Sequence, residues 1–64
     1  MPKTNITVKL IGENGNAFNL LGIVRRAMRR AGYNEAFVKQ FTDEATSGDY
    51  HHLLMTILKY VEVK

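Results

Sequence analysis

The stretch Thr4-Asn-Ile-Thr-Val-Lys-Leu-Ile11 decides the fold. Ile6, Val8 and Leu10 alternate with Asn5, Thr7 and Lys9, the period of two that a strand buried on one face requires. Gly12-Glu-Asn-Gly15 ends it with residues suited to turns and to positive φ. A lone strand needs a mate, and one other segment repeats the pattern. In Tyr60-Val-Glu-Val-Lys64, Val61 and Val63 alternate with Tyr60, Glu62 and Lys64. The two ends of the chain are therefore predicted to pair, and whatever lies between them must cover the sheet.

Between them the period changes to that of helices. Asn16 is the predicted N-cap of a first helix, with Asn14 as the alternative, and the helix runs from about Ala17 to Ala31. Ala17, Leu20, Leu21, Val24, Ala27, Met28 and Ala31 share an arc of about 120° at 100° per residue. Arg29 and Arg30 fill the last turn, where cations favour the negative end of the helix dipole, and Gly32 suits the left-handed position beyond it. Asn34 caps a second helix whose apolar face is Phe37, Val38, Phe41 and Ala45. It is predicted to end near Thr46 or Ser47 with Gly48 as its stop, and Glu35 and Lys39 have the favourable i,i+4 order on its exposed side. Asp49 caps a third helix, with Tyr50, Leu53, Leu54, Ile57, Leu58 and Val61 on one broad face. The expectation is a single α+β domain over residues 1–64, ordered β-α-α-α-β, with a two-stranded sheet covered by three helices.

Size and composition bound the function. A 64-residue chain buries only about 60% of its unfolded surface, so a large enclosed active site is out of reach. Having no cysteine excludes disulfides, thiolate catalysis and cysteine-based metal sites, and fits a reducing cytoplasm. Met1-Pro-Lys-Thr-Asn-Ile6 contains no apolar core of an export signal, and runs such as Ala36–Val38 and Leu53–Met55 are too short to span a bilayer. A cytoplasmic domain without membrane contact is expected.

The charge is uneven. Nine Lys/Arg face six Asp/Glu, and four of the nine are Arg25, Arg26, Arg29 and Arg30. The remaining five cations fall one short of the acidic residues, so the whole positive excess belongs to the first helix. On the helical wheel these arginines oppose the apolar stripe. Three readings fit such a face: a solvated surface, a phosphate contact with nucleic acid, or an acidic protein partner. Gly22 lies at its centre, where glycine costs about 1 kcal/mol against alanine, and Phe18 sits one turn earlier on nearly the same line. Phe18, Gly22, Arg25, Arg26, Arg29 and Arg30 form the candidate partner or nucleic-acid surface. Lys9 or Lys39 would add to it only if the fold brought them alongside.

Other chemistry is thin. His51 and His52 are adjacent, hence about 100° apart on a helix, and do not present two nitrogens to one metal. Ser47 has no evident base beside it in sequence, and Gly12-Glu-Asn-Gly15 lacks the spacing of a phosphate loop. No catalytic residue, metal site or cofactor is predicted. A thin sheet leaves two open edges, which favours a homodimer or pairing with another chain.

The segments Gly12-Glu-Asn-Gly-Asn-Ala-Phe18 and Glu44-Ala-Thr-Ser-Gly-Asp-Tyr-His-His-Leu-Leu54, with Leu21-Gly22 and Arg30-Ala-Gly32, resemble a group of small uncharacterised bacterial and phage proteins. The resemblance spans almost the entire chain. It implies a free-standing small protein, often from mobile genetic elements, and transfers no catalytic residue. Two functions are thus expected: a non-enzymatic interaction protein binding a protein partner or itself, or a nucleic-acid-binding protein using the arginine face.

Overall fold

The computed structural model describes residues 2–64; Met1, which opens the segment read for an export signal, lies outside them. The chain forms β1 (Thr7–Val8), α1 (Ala17–Arg30), α2 (Glu35–Ala45), α3 (Tyr50–Tyr60) and β2 (Glu62–Val63). This is the α+β order read from the sequence. β1 and β2 pair in parallel, with Thr7 opposite Glu62 and Val8 opposite Val63. A parallel mate requires a crossover, which the three helices supply. Helix α1 lies against β1 and α3 against β2, while α2 packs on both helices and closes the core behind them.

The strands are shorter than the alternation suggested, because β2 begins late. Tyr60 is the last residue of α3 rather than part of the strand. Only the last three residues then reach the mate: Glu62 and Lys64 donate to the Ile6 and Val8 carbonyls at 2.9 and 2.8 Å, and Leu10 donates to Lys64 at 3.3 Å. Before β1 the contact passes from β2 to the end of α3: Lys3 and Thr4 donate their N–H groups to the Lys59 and Tyr60 carbonyls at 3.0 and 3.1 Å. The Thr4 hydroxyl donates to the Tyr60 carbonyl at 2.7 Å and accepts from the Ile6 N–H at 3.1 Å, tying the start of the chain to the α3–β2 corner.

Each helix begins on the residue expected to cap it. Asn16, Asn34 and Asp49 accept from the N–H groups of Phe18, Phe37 and His52, all at 2.9 Å. Helix α1 ends in a Schellman motif: Tyr33 donates to the Met28 carbonyl and Gly32 to that of Arg29. The turn needs the left-handed backbone that Gly32 supplies, with φ of 94°. Gly48 has no such role, since among the described residues positive φ is confined to Gly12 and Gly32. Helix α2 stops at Ala45, and its last carbonyls are taken up by the Thr46 and Ser47 hydroxyls and by His52.

The core joins Leu20, Leu21, Val24 and Met28 of α1 to Val38, Phe41 and Ala45 of α2, with Val8 and Val61 from the chain ends. Ala31, read as the end of the α1 stripe, is exposed because it is the C-cap where the chain turns away. The face of α3 also differs from its reading. Leu53, Thr56, Ile57 and Tyr60 are buried, whereas Tyr50 and Leu58 are 47% and 50% exposed. The Tyr60 ring decides this rotation, because it meets Phe41 and Phe37 edge-on at centroid distances of 5.2 and 5.7 Å. Thr56 tolerates burial by returning its hydroxyl to the His52 carbonyl at 2.8 Å.

Candidate interaction surface

The six residues singled out in the sequence do not form one surface. The fold divides them among three places. Arg25 and Arg29 turn toward α2, where they line a hollow with Glu35, Val38, Lys39, Thr42 and Asp43. There Arg29 donates from Nε and Nη2 to the two Glu35 oxygens at 2.9 and 3.0 Å. The expected Glu35–Lys39 pair is replaced by this contact, since a two-bond fork fixed by the α1–α2 turn outcompetes a single flexible one. Lys39 instead donates to Asp43 at 2.7 Å. The hydrogen bonds from Arg29 hold the Glu35 carboxyl below its ordinary range, and the charges of Arg29 and Arg25 add to this against desolvation. Arg25 is half-buried, and its Nε has no partner among the described residues. Two of the four arginines thus lie at the α1–α2 junction, and of these Arg29 is held there by Glu35.

Phe18 lies elsewhere. It is 84% exposed, at the mouth of an apolar hollow shared with Leu21, Ala45, Tyr50 and Leu53. Tyr50 closes that end by donating its hydroxyl to the Gly15 carbonyl. Gly22 faces open space: a Cβ built there meets no atom within 4 Å. Among the described residues nothing approaches the helix at this glycine.

Arg26 and Arg30 occupy the third place, beside the outer edge of β1. A groove runs between that edge and α1. One part is lined by Thr7, Val8, Lys9, Ile23, Arg26, Ala27 and Arg30. The other, a hollow of about 450 Å³, is lined by Asn5, Ile6, Thr7, Ala27, Arg30, Ala31 and Tyr33. No β2 residue lines either part, so the groove lies on the side of β1 away from its mate. Thr7, Ala27 and Arg30 belong to both parts and make them continuous.

Among the described residues the outer edge of β1 has no backbone partner. Ile6, Val8 and Leu10 turn their backbone groups toward β2, so the alternation of a parallel ladder turns those of Thr7 and Lys9 outward into the groove. Among the described residues, neither Arg26 nor Arg30 forms an ion pair. Lys9, which mattered only if the fold placed it alongside, is brought here; Lys39 joins the other pair of arginines. The sequence reading missed Thr7, Ile23, Ala27 and Tyr33 as lining. Ile23 carried a signal, being a large aliphatic residue off the main stripe, yet it remains half-buried at the groove wall.

The polar pair at the end of α2 is structural. Ser47 Oγ lies 3.1 Å from His52 Nε2, a distance that by itself resembles a nucleophile and its base. His52 Nε2 also lies 2.8 Å from the Glu44 carbonyl, which can only accept, so this nitrogen carries the proton. Ser47 likewise donates to that carbonyl, at 2.7 Å. A protonated Nε2 cannot take the serine proton, and both side chains serve the end of α2. Among the described residues, no group of three or more His, Asp or Glu side chains could hold a metal ion. No helix among them is long and apolar enough to cross a membrane. Comparison with protein-family models, with curated proteins and with solved structures finds no match to this chain.

Proposed function

We propose that this chain is a small, non-enzymatic interaction protein that binds a protein partner along the open edge of β1. The reading rests on one observation: the outward backbone groups of Thr7 and Lys9 face the same groove as the unpaired Arg26 and Arg30. Unpaired strand edges are templates for an added strand, and natural proteins usually cover or blunt them. Here the edge is flanked by Ile23 and Ala27, which offer an incoming chain some apolar surface beside its hydrogen bonds.

The nucleic-acid reading loses support from the division of the arginines. Phosphate binding gains strength from several cations tracking a backbone, and Arg29 is already held by Glu35. Self-pairing of β1 is also disfavoured. A twofold axis along that edge would set Lys9, Arg26 and Arg30 of one copy against the same residues of the other.

Panning a random peptide library on the purified chain, followed by amide chemical-shift mapping of the enriched peptides, tests the proposal. Retained peptides should perturb the Thr7 and Lys9 amides first. Enriched peptides that leave those amides unmoved, or a library from which nothing is retained, would reject it.

A further inference from the structure

We infer that the partner is an acidic, extended peptide segment that adds to β1 as a third strand, its carboxylates reaching Arg26, Arg30 and Lys9. The inference rests on the interaction reading above and names the chemistry of the occupant.

Three features select it. The first is backbone geometry. Thr7 and Lys9 turn their N–H and C=O groups outward two residues apart, the spacing at which an extended chain can exchange hydrogen bonds with a strand. A helical segment satisfies its own backbone and gains nothing there. The second is charge. The groove carries three cations, Lys9, Arg26 and Arg30, and no acidic residue lines either part of it. By contrast, the hollow between α1 and α2 holds Glu35 and Asp43 beside Arg25, Arg29 and Lys39, so its charge is largely balanced from within. The β1 groove is therefore where external negative charge is missing.

The third feature is the groove wall. Ile23, Ala27 and Tyr33 of α1 and the following turn face the space an added strand would fill, and all three are half-buried. An occupying strand shows alternate side chains to opposite faces. One row meets this wall, so it suits small or branched apolar residues. A segment that alternates apolar and acidic residues meets both demands, whereas a nucleic-acid backbone would leave the strand edge unused.

The test uses the full chain and capped octapeptides of alternating valine with glutamate, glutamine or lysine, titrated by amide chemical shift and calorimetry. The glutamate peptide should bind at least tenfold more tightly than the glutamine peptide, with the difference shrinking as salt rises. Its perturbations should centre on Thr7, Lys9 and Ala27. Methylating alternate backbone nitrogens of the peptide should abolish binding in one phase and spare it in the other, since only one set of N–H groups meets β1. The double variant R26E/R30E should lose the glutamate peptide and gain the lysine peptide. A gain of lysine-peptide binding that still perturbs the Thr7 and Lys9 amides cannot come from misfolding.

The outcomes separate the two levels of the proposal. Equal binding of all three peptides at β1 would overturn the acidic preference while leaving the interaction reading intact. Failure of every peptide to move the Thr7 and Lys9 amides would overturn both. A short DNA duplex that shifts Arg26 and Arg30 with steep salt dependence, where the glutamate peptide does not, would replace the peptide by nucleic acid.

Discussion

At Gly48 a Cβ would lie 2.9 Å from both Cβ and Cγ of His52, whereas at Gly22 it would meet nothing within 4 Å. These two glycines therefore answer differently to the same substitution. Gly48→Ala pushes on the root of a side chain whose ring is anchored to the Glu44 carbonyl, and that root has little freedom to move. It should cost about 1–3 kcal/mol, as overpacking does. Gly22→Ala adds a methyl to open space and removes the backbone freedom of a mid-helix glycine, so it should stabilise by up to about 1 kcal/mol. Urea denaturation of the two variants against the parent measures both. A destabilised Gly22→Ala would show that the free chain keeps that position clear for a contact of its own. His52 and Ser47 teach a related lesson at the same scale. A short Ser–His distance carries no chemistry once a carbonyl has claimed the proton on the nitrogen concerned.

Among the elements, α1 does the most varied work. Its stripe of Leu20, Leu21, Val24 and Met28 builds the core, and its polar side is divided by its neighbours. Helix α2 engages Arg29 and shelters Arg25, while Arg26 and Arg30 beside β1 form no ion pair among the described residues. The division follows from helical geometry, because adjacent residues point about 100° apart and meet different surroundings. The two strands are too short to hold each other by their ladder alone, and Thr4 supplies a clasp. Its hydroxyl is buried and bonded both to the Tyr60 carbonyl and to the Ile6 N–H. Thr4→Val keeps the shape, leaves the Ile6 N–H without its acceptor and leaves the Tyr60 carbonyl with the Thr4 N–H alone, which should cost about 1–3 kcal/mol. Hydrogen exchange should then quicken at Ile6 and Glu62 before it does in α1. Unchanged stability would mean that solvent replaces the hydroxyl at no cost.

For the whole molecule, burial converges on Tyr60. Its ring lies among Phe37, Phe41 and the Lys3 ammonium, and its hydroxyl donates to Glu44 Oε1 at 2.8 Å while accepting from Gln40 at 3.2 Å. Lys59 donates to the other Glu44 oxygen. Hydrogen bonds from Lys59 and Tyr60 hold the Glu44 carboxyl below its ordinary range against some desolvation. A carboxyl depressed in the folded state contributes stability that is complete above its unfolded value and is lost as pH falls through the folded one. The urea midpoint should therefore decline as the solution is acidified through and below the ordinary carboxylate range. Glu44→Gln should lower the midpoint at neutral pH and flatten that decline. A variant as acid-sensitive as the parent would assign the acid response to Glu35 and other carboxyls.

The sequence by itself determined the order of elements, the three N-caps, the Gly32 turn and the core stripe of α1. These are local matters, set by periods of two and 3.6 and by side chains bonding to backbone two or three residues away. Tertiary structure alone decided the parallel direction of the strands, the rotation of α3 and the fate of each arginine. Direction depends on where three helices return the chain, and rotation on how the Tyr60 ring meets α2. Four arginines of equal formal charge have different fates: Glu35 stands within reach of Arg29, Arg25 is half-buried beside the same hollow, and among the described residues no carboxylate lines the groove of Arg26 and Arg30. A cation's availability depends on its neighbours in space, and the linear sequence does not contain them.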